Sequence, residues 1–329
     1  MSPSKTENLV SDFENALDLL KNNPAEQRLD VHMPYSRYQE LEECWSKIKS
    51  ARIVSEDQKY PSLEYNSAAE IVTVITVPRD LHEIPAVELG RLITSGAEEY
   101  LYSHGADASF IGGIANSGTS TRKGGQGDYS KSTKQADVTI KYTRNARDTI
   151  MIAIEVGFSE NYTALCRDKD LWIEGQNVKV CILVCLDESP RFRNPRTQNE
   201  DVKDVDGEVE TMRQHVVESV ERDSSQGYHG CIEYRGRKWV GDLRSAFIEV
   251  WRANKRHATR YPLIQYGWSC NRLPKTIGLK IRDFIPEEEW EAANVPDSTL
   301  SFDGDRYVLK VRTSMVCTAM ERFRDFVLP

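Results

Sequence analysis

The 329-residue sequence has no long hydrophobic run and no excess of positive charge. Its longest apolar run, 180–186, is far shorter than the ~20 residues needed to cross a bilayer, so no membrane span is predicted. The N-terminal segment carries acids inside its only apolar stretch, which is not the pattern of a signal peptide. With 51 acids against 43 Lys and Arg, the net charge of −8 argues against a general polycation. Any phosphate binding then has to come from local basic patches.

The sequence also lacks a disulfide framework and a recognisable nucleotide-binding loop. Seven cysteines, an odd number, favour reduced thiols and an intracellular location, with cytoplasm and nucleus undecided. Cys181 and Cys185 lie in a strand-like segment, where we expect core thiols rather than metal ligands. The glycine-rich segment 112–127 has neither GxxxxGK[ST] nor GxGxxG spacing, so a flexible loop or hairpin is expected there.

The apolar pattern predicts an α/β protein in three parts. Residues 1–65, with apolar residues at helical spacing, are expected to form a helical arm or lid. Residues 66–190 are the expected core, because a helix over 86–104 is followed by two strands, a helix and another strand. Such a unit places helices over a sheet whose centre is buried on both faces. Residues 191–329 are expected to wrap the core or to form a small second domain.

The C-terminal part has its own candidate elements. Basic and aromatic residues alternate over 235–260, which indicates either an amphipathic helix or a surface that follows a phosphate backbone. The helix is the favoured interpretation. Two later segments, TIGLKI and YVLKV, are candidate strands.

Two carboxylates fall in strand-like segments where acids are unusual. In TIMIAIEVG, alternation puts Glu155 on an apolar face of a central strand. A lone ionised carboxylate there costs several kcal/mol, so we expect a cation, a metal or hydrogen bonds beside it. Asp137 opens the preceding strand, ADVTIKYT. If the two strands form a hairpin, both acids lie far from its turn and can meet across the ladder.

Paired carboxylates of this kind suit Mg²⁺ or Mn²⁺, because hard cations take one or two protein oxygens and keep several waters. Such a metal lowers the pKa of a bound water and stabilises charge on a phosphodiester. The alternative interpretation is a structural role, with both acids satisfied by backbone amides or arginine. A glycosidase also uses two acids, but no long aromatic-lined cleft is indicated.

Asp137 and Glu155 in a strand–strand–helix–strand context resemble the PD-(D/E)XK, or restriction-endonuclease-like, nuclease superfamily. The segment IEVGFSENYTALCRDKDLW also looks like a large group of uncharacterised fungal proteins with a divergent D…EVGxS motif. The resemblance covers about residues 86–190. It implies a restriction-endonuclease-like core, with a mixed central sheet flanked by helices. It also implies a metal-dependent phosphodiesterase acting on DNA or RNA, with Asp137 and Glu155 binding Mg²⁺ or Mn²⁺.

The sequence departs from this superfamily at two positions. Ala136 stands where proline usually precedes the first acid, and Gly157 stands where the lysine usually follows the Glu. The resemblance then makes Lys169, on the following helix, the candidate that assists the attacking water. The alternative for Lys169 is a surface lysine that covers Trp172 with its aliphatic stem. Lys141 and Lys179 are lesser candidates.

The helix before the sheet and the flanking loops supply the remaining candidates. Relatives often carry a further metal-side carboxylate on that helix, which makes Glu99, or its neighbour Glu98, a candidate metal ligand. The predicted nucleic-acid-binding residues flank Asp137 and are basic: Lys123, Lys131, Lys134 and Arg144. Their alternative is a mobile solvated loop. Because Gly157 replaces the usual lysine, an inactive nuclease-like fold that binds nucleic acid or protein is the alternative function.

Overall fold

The computed structural model describes residues 5–22, 24, 26–51, 60–76, 78–158, 162–193, 204–222, 230–265 and 274–327. Contacts divide the chain into two compact units. The first unit comprises residues 1–79, 120–135 and 170–177, and the second comprises residues 80–119, 136–169 and 178–329. These units cut across the expected parts 1–65, 66–190 and 191–329. The chain therefore leaves and re-enters each unit, which a division into consecutive ranges does not capture.

The first unit combines two helices with a five-stranded antiparallel sheet. Its elements, numbered in chain order, are α1 (Lys5–Asn22), β1 (Arg28–His32), α2 (Tyr35–Ala51), β2 (Ser62–Asn66), β3 (Ile71–Ile75), β5 (Thr121–Lys123) and β6 (Thr133–Gln135). The strand order is β1-β3-β2-β6-β5. Tyr38, Leu41 and Trp45 recur at helical spacing and are buried on one side of α2. The helical spacing expected here is confirmed, but 1–65 also contributes two strands.

The second unit is built on a six-stranded sheet. Its strands are β4 (Ile114–Asn116), β7 (Val138–Arg144), β8 (Arg147–Phe158), β9 (Val180–Ser189), β12 (Asp242–Arg252) and β13 (Thr259–Gln265). Its helices are α3 (Asp80–Ser103), α4 (Ala108–Ile111), α5 (Tyr162–Asp170), α6 (Val205–Arg222), α7 (Glu287–Ala293) and α8 (Gly304–Val327). A separate hairpin joins β10 (Ile232–Tyr234) to β11 (Arg237–Val240). The α/β class is confirmed.

The order of the large sheet is β13-β12-β9-β8-β7-β4. Only β8 and β9 pair in parallel, and the crossover between them contains α5, as parallel neighbours require. Ile152, Ile154 and Val156 are fully buried or nearly so and belong to the main apolar core, which also includes buried residues of α3 and α8. The β-branched residues of β8 suit a central strand with little exposed surface.

Several expectations for the C-terminal part are wrong. The stretch 235–260 forms strands rather than an amphipathic helix, since Ala246, Ile248 and Val250 alternate as buried residues along β12. YVLKV lies inside α8 and not in a strand. In TIGLKI, Lys280 forms an isolated bridge with Thr299 and no longer strand. Among the described helices, none is both long and apolar enough to cross a membrane.

Candidate functional site

Asp137 and Glu155 lie at the same end of the β7–β8 hairpin. The register pairs Val138 with Ile154 and Thr139 with Ala153, and Asp137 directly precedes β7, so its backbone lies near the level of Glu155. The Asp137 side chain is fixed there, because its Oδ2 accepts a hydrogen bond from the Val156 amide at 2.8 Å. The hairpin expected from the sequence is therefore present, and it brings the two acids to the same end of the strands, far from the turn.

His82 completes the immediate surroundings of Asp137. It lies in the first turn of α3, and its Nε2 is 3.1 Å from Asp137 Oδ1. Its side chain is 18% exposed, against 12% for Asp137, so the pair is largely shielded from water. Sequence reasoning missed this residue, which stands 55 positions before Asp137.

A glycine lets α3 come close enough to β7 for this contact. A Cβ added at Gly90 would lie 2.8 Å from Val138 Cγ1 and 2.8 Å from Asn116 Nδ2, closer than real Cβ contacts. A larger residue at this position would have to displace the Val138 and Asn116 side chains or α3 itself. Gly90 is the signal in the sequence that could have indicated a close helix–strand approach, although glycine alone does not say which strand is approached.

Glu155 lies in a row of residues that crosses the sheet. It is 3% exposed and pairs with Leu183 on β9. Leu183 pairs with Glu249 on β12, and Glu249 pairs with Arg260 on β13. Paired residues point to the same face of a sheet, and neighbouring strands are about 4.8 Å apart. The backbones at Glu155 and Glu249 are therefore about 10 Å apart on one face.

Glu249 shows how a buried acid is satisfied on this face. Its carboxylate accepts hydrogen bonds from the Tyr162 hydroxyl at 2.7 Å, from Trp251 Nε1 at 3.1 Å and from Arg260 Nε at 2.8 Å. Burial, followed by the hydrogen bond to Glu249, raises the pKa of Tyr162 well above its usual range. Glu249 is thus a structural acid that ties α5, β12 and β13 together.

Lys169 lies on the helix that covers this face. Its Nζ is 4.3 Å from the centre of the Trp251 ring, so the ammonium lies over a side chain of β12. The residue two positions after Glu155 on the same strand face is Gly157, which supplies no amine. Lys179 is placed differently, because it directly precedes β9 and donates to the Arg282 carbonyl at 2.9 Å. Ser159 of the EVGxS motif lies outside the described residues.

Glu99 is far from the two acids. It is exposed on α3, seventeen residues beyond His82. An α-helix rises about 1.5 Å per residue, so Glu99 lies about 25 Å along the axis from the histidine that contacts Asp137. The structure therefore does not bring Glu99 to the candidate metal site. Its neighbour Glu98 is half-buried, and burial raises the pKa of its carboxyl.

Three of the four predicted nucleic-acid-binding residues belong to the first unit. Lys134 Nζ donates to Glu64 Oε2 at 2.9 Å, and the two side chains are 3% and 6% exposed. This buried ion pair leaves no free ammonium for a phosphate. Lys123 is exposed but pairs with Glu42 at 2.8 Å, and Lys131 Nζ lies 4.9 Å from the centre of the Tyr35 ring.

The fourth residue, Arg144, lies in the second unit at the turn of the β7–β8 hairpin. Its NH1 donates to Glu289 Oε2 at 2.7 Å, and this hydrogen bond lowers the pKa of the Glu289 carboxyl. Arg144 is seven residues from Asp137 along an extended strand, or about 23 Å at 3.3 Å per residue. Arg144 therefore lies at the turn end of the hairpin, and the two acids lie at its open end.

The chain matches no protein-family model, no curated protein and no solved structure. Its function has therefore to be inferred from the residues themselves and from their geometry.

Proposed function

We propose that the second unit is a metal-dependent phosphodiesterase that acts on DNA or RNA. The observation that carries this proposal is the register of β7 and β8, which brings Asp137 to the same end of the hairpin as the buried Glu155. Both acids lie towards the carboxyl end of β8, beside its parallel neighbour β9. Open α/β sheets commonly bind ligands at such carboxyl ends.

The order of elements supports a restriction-endonuclease-like core. The helix α3 precedes three strands, β4, β7 and β8, that pair as antiparallel neighbours. The helix α5 then leads to β9, which is parallel to β8. This is the strand–strand–helix–strand context on which the resemblance to the nuclease superfamily rests, with one further strand at the edge.

The two carboxylates fit a cation that keeps most of its own water. Mg²⁺ and Mn²⁺ sites of this class use one or two protein carboxylates, and substrate oxygens and water fill the other positions. Within the part of the chain that the structure describes, no three His, Cys, Asp or Glu side chains are grouped to hold a metal. In this proposal Asp137 and Glu155 hold the ion as a pair. When bound, it would supply an acidified water and stabilise charge on the phosphodiester.

The protein's own residues hold and orient these groups. The Val156 amide and His82 fix the two oxygens of Asp137, so the carboxylate has one defined orientation before any ligand arrives. Lys169 is the proposed residue that assists the attacking water. It lies on the covering helix α5, and its flexible stem allows the ammonium to move off the Trp251 ring.

One observation favours the alternative function, an inactive nuclease-like fold that binds nucleic acid or protein. Gly157 leaves the strand position beside Glu155 without a lysine. In that case Asp137 is a structural acid, used to join α3 to the β7–β8 pair through His82 and Val156.

Cleavage of single- and double-stranded DNA and RNA in Mn²⁺ and in Mg²⁺ tests the proposal. We expect wild type to cut at least one substrate and Glu155→Gln to lose at least about 100-fold in rate, equivalent to nearly 3 kcal/mol of transition-state stabilisation. Glu99→Gln is the matched control, since it removes the same charge about 25 Å away and should keep the wild-type rate. A wild type that is inert on every substrate, or equal losses in both variants, contradicts the proposal.

A further inference from the structure

A second region of the large unit has features that the proposed active site does not use. A cavity of about 470 Å³ lies at the amino-terminal end of β9, beside Lys179 and a few residues before Leu183, which pairs with Glu155. Basic residues from separate parts of the chain line it: Lys179, Arg252, Lys280 and Arg282. Three carboxylates, Asp283, Glu287 and Asp297, also line this cavity.

The turn of the β12–β13 hairpin extends this basic region into solvent. Ala253 and Asn254 line the cavity, and the next residues, Lys255, Arg256 and His257, are exposed. Neither Lys255 nor Arg256 has a side-chain partner within the described parts of the chain. Two cations therefore stand in water at the rim of the cavity.

The carboxylates of the cavity are already used to hold the basic residues in place. Asp283 binds Arg252 at 2.8 Å, and Arg252 also donates to the Gly278 carbonyl at 2.8 Å. Asp297 binds Lys280 at 3.1 Å, yet the Lys280 side chain stays 53% exposed. With Lys255 and Arg256, the four lining cations exceed the three carboxylates by three positive charges. This local excess of positive charge contrasts with the net charge of the whole chain, which is −8.

We propose that this basic surface, formed by Lys255 and Arg256 together with Lys179, Lys280 and Arg282, binds the phosphodiester backbone of nucleic acid. Its cations are spread over a hairpin and a cavity rim, with carboxylates between them. Such spacing suits a linear polyanion better than one compact phosphate ion, which needs convergent donors. The inference rests on the proposed function, because it supplies the substrate contact that the active site itself lacks.

The basic surface and Glu155 are close along the sheet but face different ways. Arg252 is three residues along β12 from Glu249, or about 10 Å, and Glu249 is about 10 Å across the sheet from Glu155. Because side chains alternate along a strand, Arg252 points to the opposite face from Glu249 and Glu155. The basic surface therefore adds backbone contacts outside the face that carries Glu155.

Binding of a fluorescently labelled DNA or RNA oligonucleotide, measured in EDTA at several salt concentrations, tests this inference without any cleavage. The test variant is Lys255→Gln with Arg256→Gln. Its affinity should fall at least about 10-fold at 0.1 M salt, and the slope of log K against log salt should fall by about 1.4 to 1.8, the value for two lost phosphate contacts. Both side chains are exposed, so the variant should fold like wild type.

The matched control is Lys47→Gln with Lys49→Gln. It removes the same charge from two exposed positions on α2, and it should keep affinity within about 2-fold and leave the salt slope unchanged. Wild-type affinity in the hairpin variant, or an equal loss in the control, overturns the inference. A protein that binds through the hairpin but cuts no substrate upholds this inference and contradicts the phosphodiesterase. A hairpin variant that binds and cuts like wild type contradicts this inference and leaves the phosphodiesterase standing.

Discussion

Replacing Lys134 by Met distinguishes a phosphate-binding lysine from a structural one. Lys134 is 3% exposed in its pair with Glu64, and Glu64 Oε1 also accepts a hydrogen bond from the Gln135 amide at 3.2 Å. Met fills a similar volume but leaves the buried Glu64 carboxylate without its cation. Breaking one side of a buried pair costs about 3 to 5 kcal/mol, which raises the unfolded fraction of the first unit by about 100-fold to a few thousand-fold.

The double variant, Lys134→Met with Glu64→Gln, sharpens this test. Since neither residue then leaves an uncompensated charge, its stability loss should be smaller than that of Lys134→Met alone, with a coupling of about 2 kcal/mol or more. Urea unfolding followed by circular dichroism gives the free energies, and amide exchange in β2 and β6 assigns them to the first unit. A Lys134→Met protein within about 1 kcal/mol of wild type that nevertheless binds nucleic acid weakly would refute the assignment.

Three further predictions concern the other buried groups. Glu249→Ala should lower the free energy of unfolding by about 2 to 4 kcal/mol, because it leaves the hydroxyl of Tyr162 and the indole of Trp251 without their hydrogen-bond acceptor. The exposed Glu288→Ala should lower it by less than about 1 kcal/mol in the same thermal unfolding. Burial raises the pKa of Tyr129 from 10.0 to about 12, so the folded state favours its neutral form. The resulting contribution to folding stability is complete below pH 10 and is lost as the pH rises through 12. The loss of stability between pH 10 and about pH 12 should therefore be smaller in Tyr129→Phe than in wild type. Equal losses in the two proteins would contradict this. Lys169→Met should lower the turnover of cleavage by about 10²- to 10⁴-fold with unchanged Mn²⁺ affinity, and a loss of Mn²⁺ binding instead would make Lys169 a structural residue.

The centre of the large sheet was predictable because its pattern is local. β7 alternates, β8 is nearly continuous and apolar, and the short turn between them fixes which residues pair. The hairpin that brings Asp137 and Glu155 to the same end of the strands could therefore be predicted from sequence alone. The crossover through α5 was predictable for the same reason, since a helical pattern lies between two apolar strands.

The rest depended on contacts between distant segments. His82 reaches Asp137 only after α3 packs on the sheet, and Lys134 is buried only after β6 pairs with β2. The pattern of β12 predicts a helix because Phe247 and Trp251 are four residues apart, a spacing that fits one face of a helix as well as one face of a strand. YVLKV contains two β-branched valines and a tyrosine, which favour a strand, yet Tyr307 and Val311 are both buried in α8, where tertiary packing overrides local preference.

Titration of Mn²⁺ into the protein by calorimetry tests most directly whether Asp137 and Glu155 form a metal site. Wild type and Glu99→Gln should bind Mn²⁺ with the same affinity, and Asp137→Asn and Glu155→Gln should each lose binding by at least about 10-fold while keeping the circular dichroism spectrum of wild type. Equal Mn²⁺ affinity in all four proteins would contradict the account and would leave both acids as structural groups of the sheet.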